Sequence, residues 1–185
     1  MQIYVWRHFS EQQHGVRIKK AGSKEDFFTV LYPRTGKEKA AKVTTLAKGK
    51  AVKVEHSEGT DIVLLSPTSD IKTSLDDTRL EGRIAFARSY TDGRQRLAVI
   101  KGKDALVRSG DWELKSSGPT AINIKGKHVT GESSGNAHTV QLTLPADYGA
   151  AKIIVDGQAA KGKREGHVLT FKLPSGNKTF SVNPQ

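Results

Sequence analysis

No window of twelve residues along this chain carries apolar side chains at helical spacing. A surface helix needs an apolar stripe recurring every three to four residues, so architectures built on helices are excluded. In their place stand short alternating runs bounded by Gly, Pro, Asp or Ser. Val140, Leu142 and Leu144 alternate with Thr139, Gln141 and Thr143 and stop at Pro145. Ile84, Phe86 and Tyr90 alternate with Ala85, Ala87 and Ser89, and Leu97 and Val99 with Ala98 and Ile100. Further strands are expected over 2–9, 15–20, 61–66, 105–107, 112–114, 121–124, 152–155, 167–173 and 179–182. Residues 41–48 and 51–56 read as a pair joined at Gly49. Pro67, Pro119, Pro145 and Pro174 fall at strand ends, where a missing N–H does no harm. The pattern predicts an all-β fold, an antiparallel β-sandwich of many short strands with essentially no helix.

Within that fold, Phe27-Phe28-Thr29-Val30-Leu31-Tyr32-Pro33 is the most hydrophobic run, apolar on both faces. Such a run suits a central strand covered on both sides. Ile62-Val63-Leu64-Leu65 is expected beside it. Asp92-Gly93 between two alternating runs predicts a two-residue type I′ hairpin. Residues 67–78, rich in Ser, Thr and Asp, read as a long loop. The 185 residues are read as one β-sandwich domain, 1–185, with a soft sub-boundary near 109–119.

The formal charge is +11 and the isoelectric point about 9.8. The excess is uneven. Residues 17–53 hold eleven Lys and Arg against three acidic residues, 55–81 are net acidic, and 83–108 are basic again. Such a field favours polyanions. With no cysteine, neither a disulfide framework nor a thiolate metal site exists. No stretch approaches the ~18 apolar residues of a membrane span.

Catalytic motifs are sparse. Gly157 to Lys163 has P-loop spacing, but Arg164 stands where the metal-binding hydroxyl belongs. Gly131-Glu132-Ser133-Ser134-Gly135 matches the string of a nucleophile elbow, yet no helix follows, so it reads as a polar turn. The six histidines show no local metal-ligand spacing. Asp70, Asp76 and Asp77 lack the glycine-punctuated spacing of a calcium loop and read as turn residues. No metal, cofactor or catalytic residue is assigned. Tyr4, Trp6 and His8 share one strand face, where aromatic rings stack on sugars or pack in a core, with Arg7 beside them and Arg17 near. Together with His14, Lys19, Lys20, Lys37 and Lys39 they form the candidate ligand-binding set.

Two groups of residues carry a resemblance. Phe27 to Pro33 with Trp6-Arg7-His8-Phe9 upstream is similar to the C-terminal β-sheet region of heparinase II/III-type polysaccharide lyases. So is the tail: Val140 to Pro145, Ile153-Ile154-Val155-Asp156-Gly157, Leu169 to Pro174 and Ser175-Gly176. In that family an α/α toroid precedes the sandwich and, mostly alone, supplies the Tyr and polar residues that eliminate across a uronate glycosidic bond. The resemblance implies a non-catalytic domain at the C-terminal end of a longer lyase, periplasmic or secreted. It would brace the toroid of the same parent and contact acidic polysaccharide such as a glycosaminoglycan. Other readings are a free-standing carbohydrate- or polyanion-binding module, a nucleic-acid-binding β protein without its usual aromatic–basic motifs, and a complete enzyme.

Overall fold

The computed structural model describes residues 29–32 and 36–185. In chain order the strands are β1 (Lys42–Leu46), β2 (Ala51–His56), β3 (Gly59–Leu65), β4 (Ile71–Leu75), β5 (Thr78–Gly82) and β6 (Ile84–Tyr90). There follow β7 (Gln95–Lys101), β8 (Ala105–Ser109), β9 (Trp112–Ser116), β10 (Thr120–Lys125), β11 (His128–Ser133) and β12 (His138–Thr143). The last five are β13 (Ala151–Val155), β14 (Gln158–Ala160), β15 (Gly162–Glu165), β16 (Val168–Leu173) and β17 (Lys178–Pro184). A 3₁₀ turn, Ala47–Gly49, links β1 to β2.

These strands form two antiparallel sheets, packed as the all-β sandwich that the alternating pattern predicts. Among the described residues one sheet has ten strands in the order β1-β2-β3-β6-β7-β10-β11-β17-β13-β14, the other seven in the order β15-β16-β12-β9-β8-β5-β4. From β2 to β11 the chain lays one hairpin into each sheet by turns, so both sheets grow in the same direction. β9 pairs with β8 and β12, and β10 with β7 and β11, so both ladders run on through residues 109–119.

Alternation decides the core. Leu64, Leu97, Val99, Ile122, Val129 and Val182 point inward from the larger sheet, and Leu80, Val107, Leu114, Val140, Leu142 and Leu173 meet them from the smaller. All are at most 1% exposed, and burying each contributes roughly 1.5–3 kcal/mol. On β6 the small Ala85 and Ala87 are the inward pair, while Phe86, Arg88 and Tyr90 face out.

Several expectations need correction. Thr29 to Tyr32 are not in a strand, and Leu31 is 87% exposed; Phe27 and Phe28 lie outside the described residues, as do the strands expected over 2–9 and 15–20. The Ile62 to Leu65 stretch does sit inside a sheet, but its neighbours are β2 and β6. Instead of joining the sheet, Thr29 to Tyr32 line a pocket whose floor is Val52, Val54 and Val63 on its outer face. Hydrophobicity there answers a need for cover, since these outward valines otherwise meet water.

Residues 67–78 are not one loop, because Ile71, Thr73 and Leu75 alternate along β4 and pair with β5 through a two-residue turn. Asp76 adopts φ 52° in that turn. The 131–135 stretch is not a turn throughout, since Gly131, Glu132 and Ser133 belong to β11. The Asp92-Gly93 hairpin is not type I′ either. Only Gly93 there has positive φ, 84°; its N–H donates to the Tyr90 carbonyl at 3.1 Å, and the Tyr90 N–H to the Arg94 carbonyl at 2.9 Å. That is a three-residue loop, a type I turn closed by a left-handed glycine. The two-residue pattern with both φ values positive appears at Asp156-Gly157, 48° and 79°.

Candidate functional site

The outer face of the ten-stranded sheet carries a row of side chains brought into line by register alone. Asp61 on β3 pairs with Arg88 on β6, Arg88 with Arg96 on β7, and Arg96 with Asn123 on β10. Asn123 pairs with Thr130 on β11, and Thr130 with Ser181 on β17. Each is the outward residue beside at least one core residue: Ile62 fixes Asp61, Ala87 fixes Arg88, Leu97 fixes Arg96, Ile122 and Ile124 fix Asn123, Val129 fixes Thr130, and Phe180 and Val182 fix Ser181. Adjacent strands lie about 4.8 Å apart, so the six polar positions span about 24 Å. Val43 and Val54 continue the row at one end and Ile154 at the other.

Two open grooves of about 530 and 580 Å³ lie along the Arg96 to Ser181 half of the row and share Arg96, Glu132, Asp156 and Thr179. Their charges come in pairs. Arg96 Nη2 donates to Glu132 Oε1 at 3.0 Å. Lys178 Nζ donates to Asp156 Oδ2 at 2.9 Å and the Thr179 N–H to Oδ1 at 3.0 Å. Lys178 first, and then that backbone N–H, hold the Asp156 carboxyl below its ordinary range. Asn123, Thr130, Thr179 and Ser181 add neutral donors and acceptors to the groove lining.

At the other end Asp61, 8% exposed, takes two hydrogen bonds from Arg88, Nε to Oδ1 at 2.5 Å and Nη2 to Oδ2 at 2.6 Å. The Arg88 guanidinium lies 5.4 Å from the Tyr90 ring centroid and 5.7 Å from that of Phe86. Its pKa is raised, chiefly by the hydrogen bonds to Asp61. His56 Nδ1 accepts the Glu58 N–H at 3.3 Å, and its Nε2 lies 3.5 Å from Asp61 Oδ1. Tyr32 tilts against the His56 ring at 5.7 Å, beside the valine-floored pocket of about 490 Å³.

A separate cluster has the outline of a nucleophile and base. Thr120 Oγ1 stands 3.0 Å from His138 Nε2, and His138 Nδ1 donates to the Asn136 carbonyl at 2.8 Å. Ser116 Oγ lies 2.9 Å from Thr120 Oγ1 and donates to the Gly118 carbonyl at 2.8 Å. Thr120 and Ser116 are 3% and 2% exposed, so no substrate carbonyl reaches them. The cluster instead ties the crossover between β9 and β10 to β12.

Of the sequence-derived candidates, Tyr4, Trp6, Arg7, His8, His14, Arg17, Lys19 and Lys20 lie outside the described residues. Lys37 and Lys39 are exposed, outside any strand, and line none of these grooves. Asp70 is held below its usual pKa range by the Lys103 N–H at 3.0 Å and by Arg83 at 2.9 Å. Among the described residues no group of three His, Asp or Glu is placed to hold a metal ion. Sequence reasoning missed Arg96, Asn123, Thr130, Glu132 and Ser181. Arg96, Asn123, Thr130 and Ser181 each stand beside a core residue, and only the register reveals that they align; Glu132 lies on the same face, in the next row of β11. No family model and no curated protein matches the chain.

Proposed function

We propose that this chain is a non-catalytic β-sandwich domain of a heparinase II/III-like polysaccharide lyase, which braces a catalytic toroid of the same parent and contacts acidic polysaccharide. The observation that carries it is the polar row, Asp61 to Ser181, with the open grooves along its Arg96 to Ser181 half. A polysaccharide offers hydroxyls at regular intervals and, when acidic, a carboxylate on the repeat. A row of amide, hydroxyl and guanidinium groups at strand spacing answers that chemistry by hydrogen bonding. Each carboxylate on the row or in its grooves already has a cationic partner, Arg88, Arg96 or Lys178, which makes it an acceptor rather than a free general base. A free-standing carbohydrate-binding module is the alternative.

The test is twofold. Titration with heparan, chondroitin and alginate should show weak binding that falls steeply as salt rises, with duplex DNA as the control for plain electrostatics. Incubation with the same substrates should give no ultraviolet absorbance from unsaturated uronate. Binding absent at low ionic strength, or DNA bound as well as glycan, sinks the glycan reading. Reproducible turnover would replace it with a complete enzyme.

A further inference from the structure

Two guanidiniums sit side by side on neighbouring strands in the middle of the row, and they are held very differently. Arg88 is gripped by both oxygens of a buried carboxylate and flanked by two aromatic rings, with its side chain 27% exposed and that of Asp61 12%. Arg96 makes one hydrogen bond to a carboxylate, and both partners are open, 40% for Arg96 and 64% for Glu132. An exposed, single-bonded pair is weak and exchanges readily, whereas a two-pronged buried one does not. Like charges facing each other across a strand pair also oppose one another. Arg88 is balanced by Asp61, and Arg96 depends on a carboxylate that is largely open to solvent.

We propose that Arg96 is the carboxylate subsite of the groove, and that Glu132 occupies it in the free protein as an internal competitor that a uronate carboxylate displaces. The inference rests on the polysaccharide-binding reading above. It adds the ligand group, a sugar carboxylate, the residue that receives it, and the direction of each substitution. A guanidinium fork matches the two oxygens of a planar carboxylate. Glu132 presents that chemistry to Arg96 now, so the geometry of the guest is already sampled by the host. Asn123, the cross-strand neighbour of Arg96, and Thr130 beyond it extend the contact along the row to sugar hydroxyls. On displacement Glu132 turns to water, and no bond is made or broken.

The experiment measures binding of galacturonate oligosaccharide (carboxylate only), dextran sulfate (sulfate only) and neutral dextran to the intact chain. Arg96→Gln should weaken galacturonate binding at least tenfold, and Arg96→Lys should restore only part of it because the fork is lost. Glu132→Gln should tighten binding several-fold. Glu165→Gln changes the net charge equally from an exposed site on the other sheet, and it should leave binding unchanged. Amide shifts on titration should centre on Asn123 and Thr130, and circular dichroism checks the fold of each variant. If galacturonate binds the parent and Arg96→Gln binds as well, or if Glu132→Gln weakens binding, the subsite is overturned while the polysaccharide reading stands. Equal tightening by Glu165→Gln, or a preference for dextran sulfate, likewise overturns it. If the parent binds none of the acidic probes, both fail together.

Discussion

Tyr148 illustrates how one side chain ties the molecule to pH. It is 1% exposed, donates its hydroxyl to the Val182 carbonyl at 3.0 Å, and sets its ring edge-on to Trp112 at 5.7 Å. Burial pushes its hydroxyl up to about 12 from an ordinary 10, since a phenolate there would lose its water. A raised pKa means that the folded state holds the proton more tightly. The associated stability is therefore complete below pH 10 and is lost as pH rises from 10 toward 12. Tyr148→Phe keeps the packing and removes the hydrogen bond, so at pH 7 it should cost about 1 kcal/mol. Between pH 10 and 12 its stability should fall less steeply than the parent's, because nothing at position 148 then ionises on unfolding. Urea midpoints at pH 7, 10 and 11.5 provide the check. Parallel pH profiles for the two proteins would refute the role of the hydroxyl.

At the scale of the element, β11 shows why some strands escape a reading of the sequence. His128-Val129-Thr130-Gly131-Glu132-Ser133 has one large apolar residue and a glycine, which looks like turn chemistry. The structure explains the glycine by what lies over it. Gly131 pairs with Phe180 on β17, and a Cβ built there would stand 2.2 Å from the tip of the Phe180 ring, which packs edge-on against Phe171 at 5.4 Å. The aromatic ring of the next strand supplies the apolar surface that β11 lacks. Gly131→Ala should therefore destabilise by roughly 1–3 kcal/mol despite adding an apolar group, as overpacking does. Pairing it with Phe180→Leu should recover part of the loss in a double-mutant cycle of thermal melts. Strict additivity would show that the ring does not meet the new methyl. By contrast β7, β12 and β16 were legible because their alternation and bounding turns are local signals, and β3 because Ile62 to Leu65 is a short continuous apolar run. β4 was hidden by its Lys, Thr and Ser, and Thr29 to Tyr32 lie outside any strand because apolarity reports a need for burial without saying whether a segment enters a sheet or covers its face. The polar row was not legible at all. Arg96, Asn123, Thr130 and Ser181 are 85 residues apart from end to end, and only long-range register aligns them.

At the scale of the whole molecule, the connectivity changes character near its end. Up to β11 each new hairpin lies beside the previous one in its sheet, so pairing advances by short steps. β17 breaks this order by inserting between β11 and β13, pairing Val182 with Val129 on one side and with Ile153 on the other. Among the described residues β14 pairs only with β13, so among them β17 alone attaches the β13–β14 hairpin to the rest of this sheet. Its inward Phe180 and Val182 are 4% and 0% exposed, and its outward Ser181 closes the polar row. Local openings follow the units that few contacts hold. Val182→Ala leaves a cavity beneath this junction and should cost on the order of 2 kcal/mol. The loss should not be uniform. Amide hydrogen exchange should rise most in β13, β14 and β17, while the amides of β2, β3 and β6 keep the slower exchange of full unfolding. On the proposed polysaccharide-binding reading, the same variant should weaken binding at the Ser181 end without changing the dependence on Arg96. An equal rise in exchange across all strands would mean that the sandwich opens as one unit and that β17 is no seam.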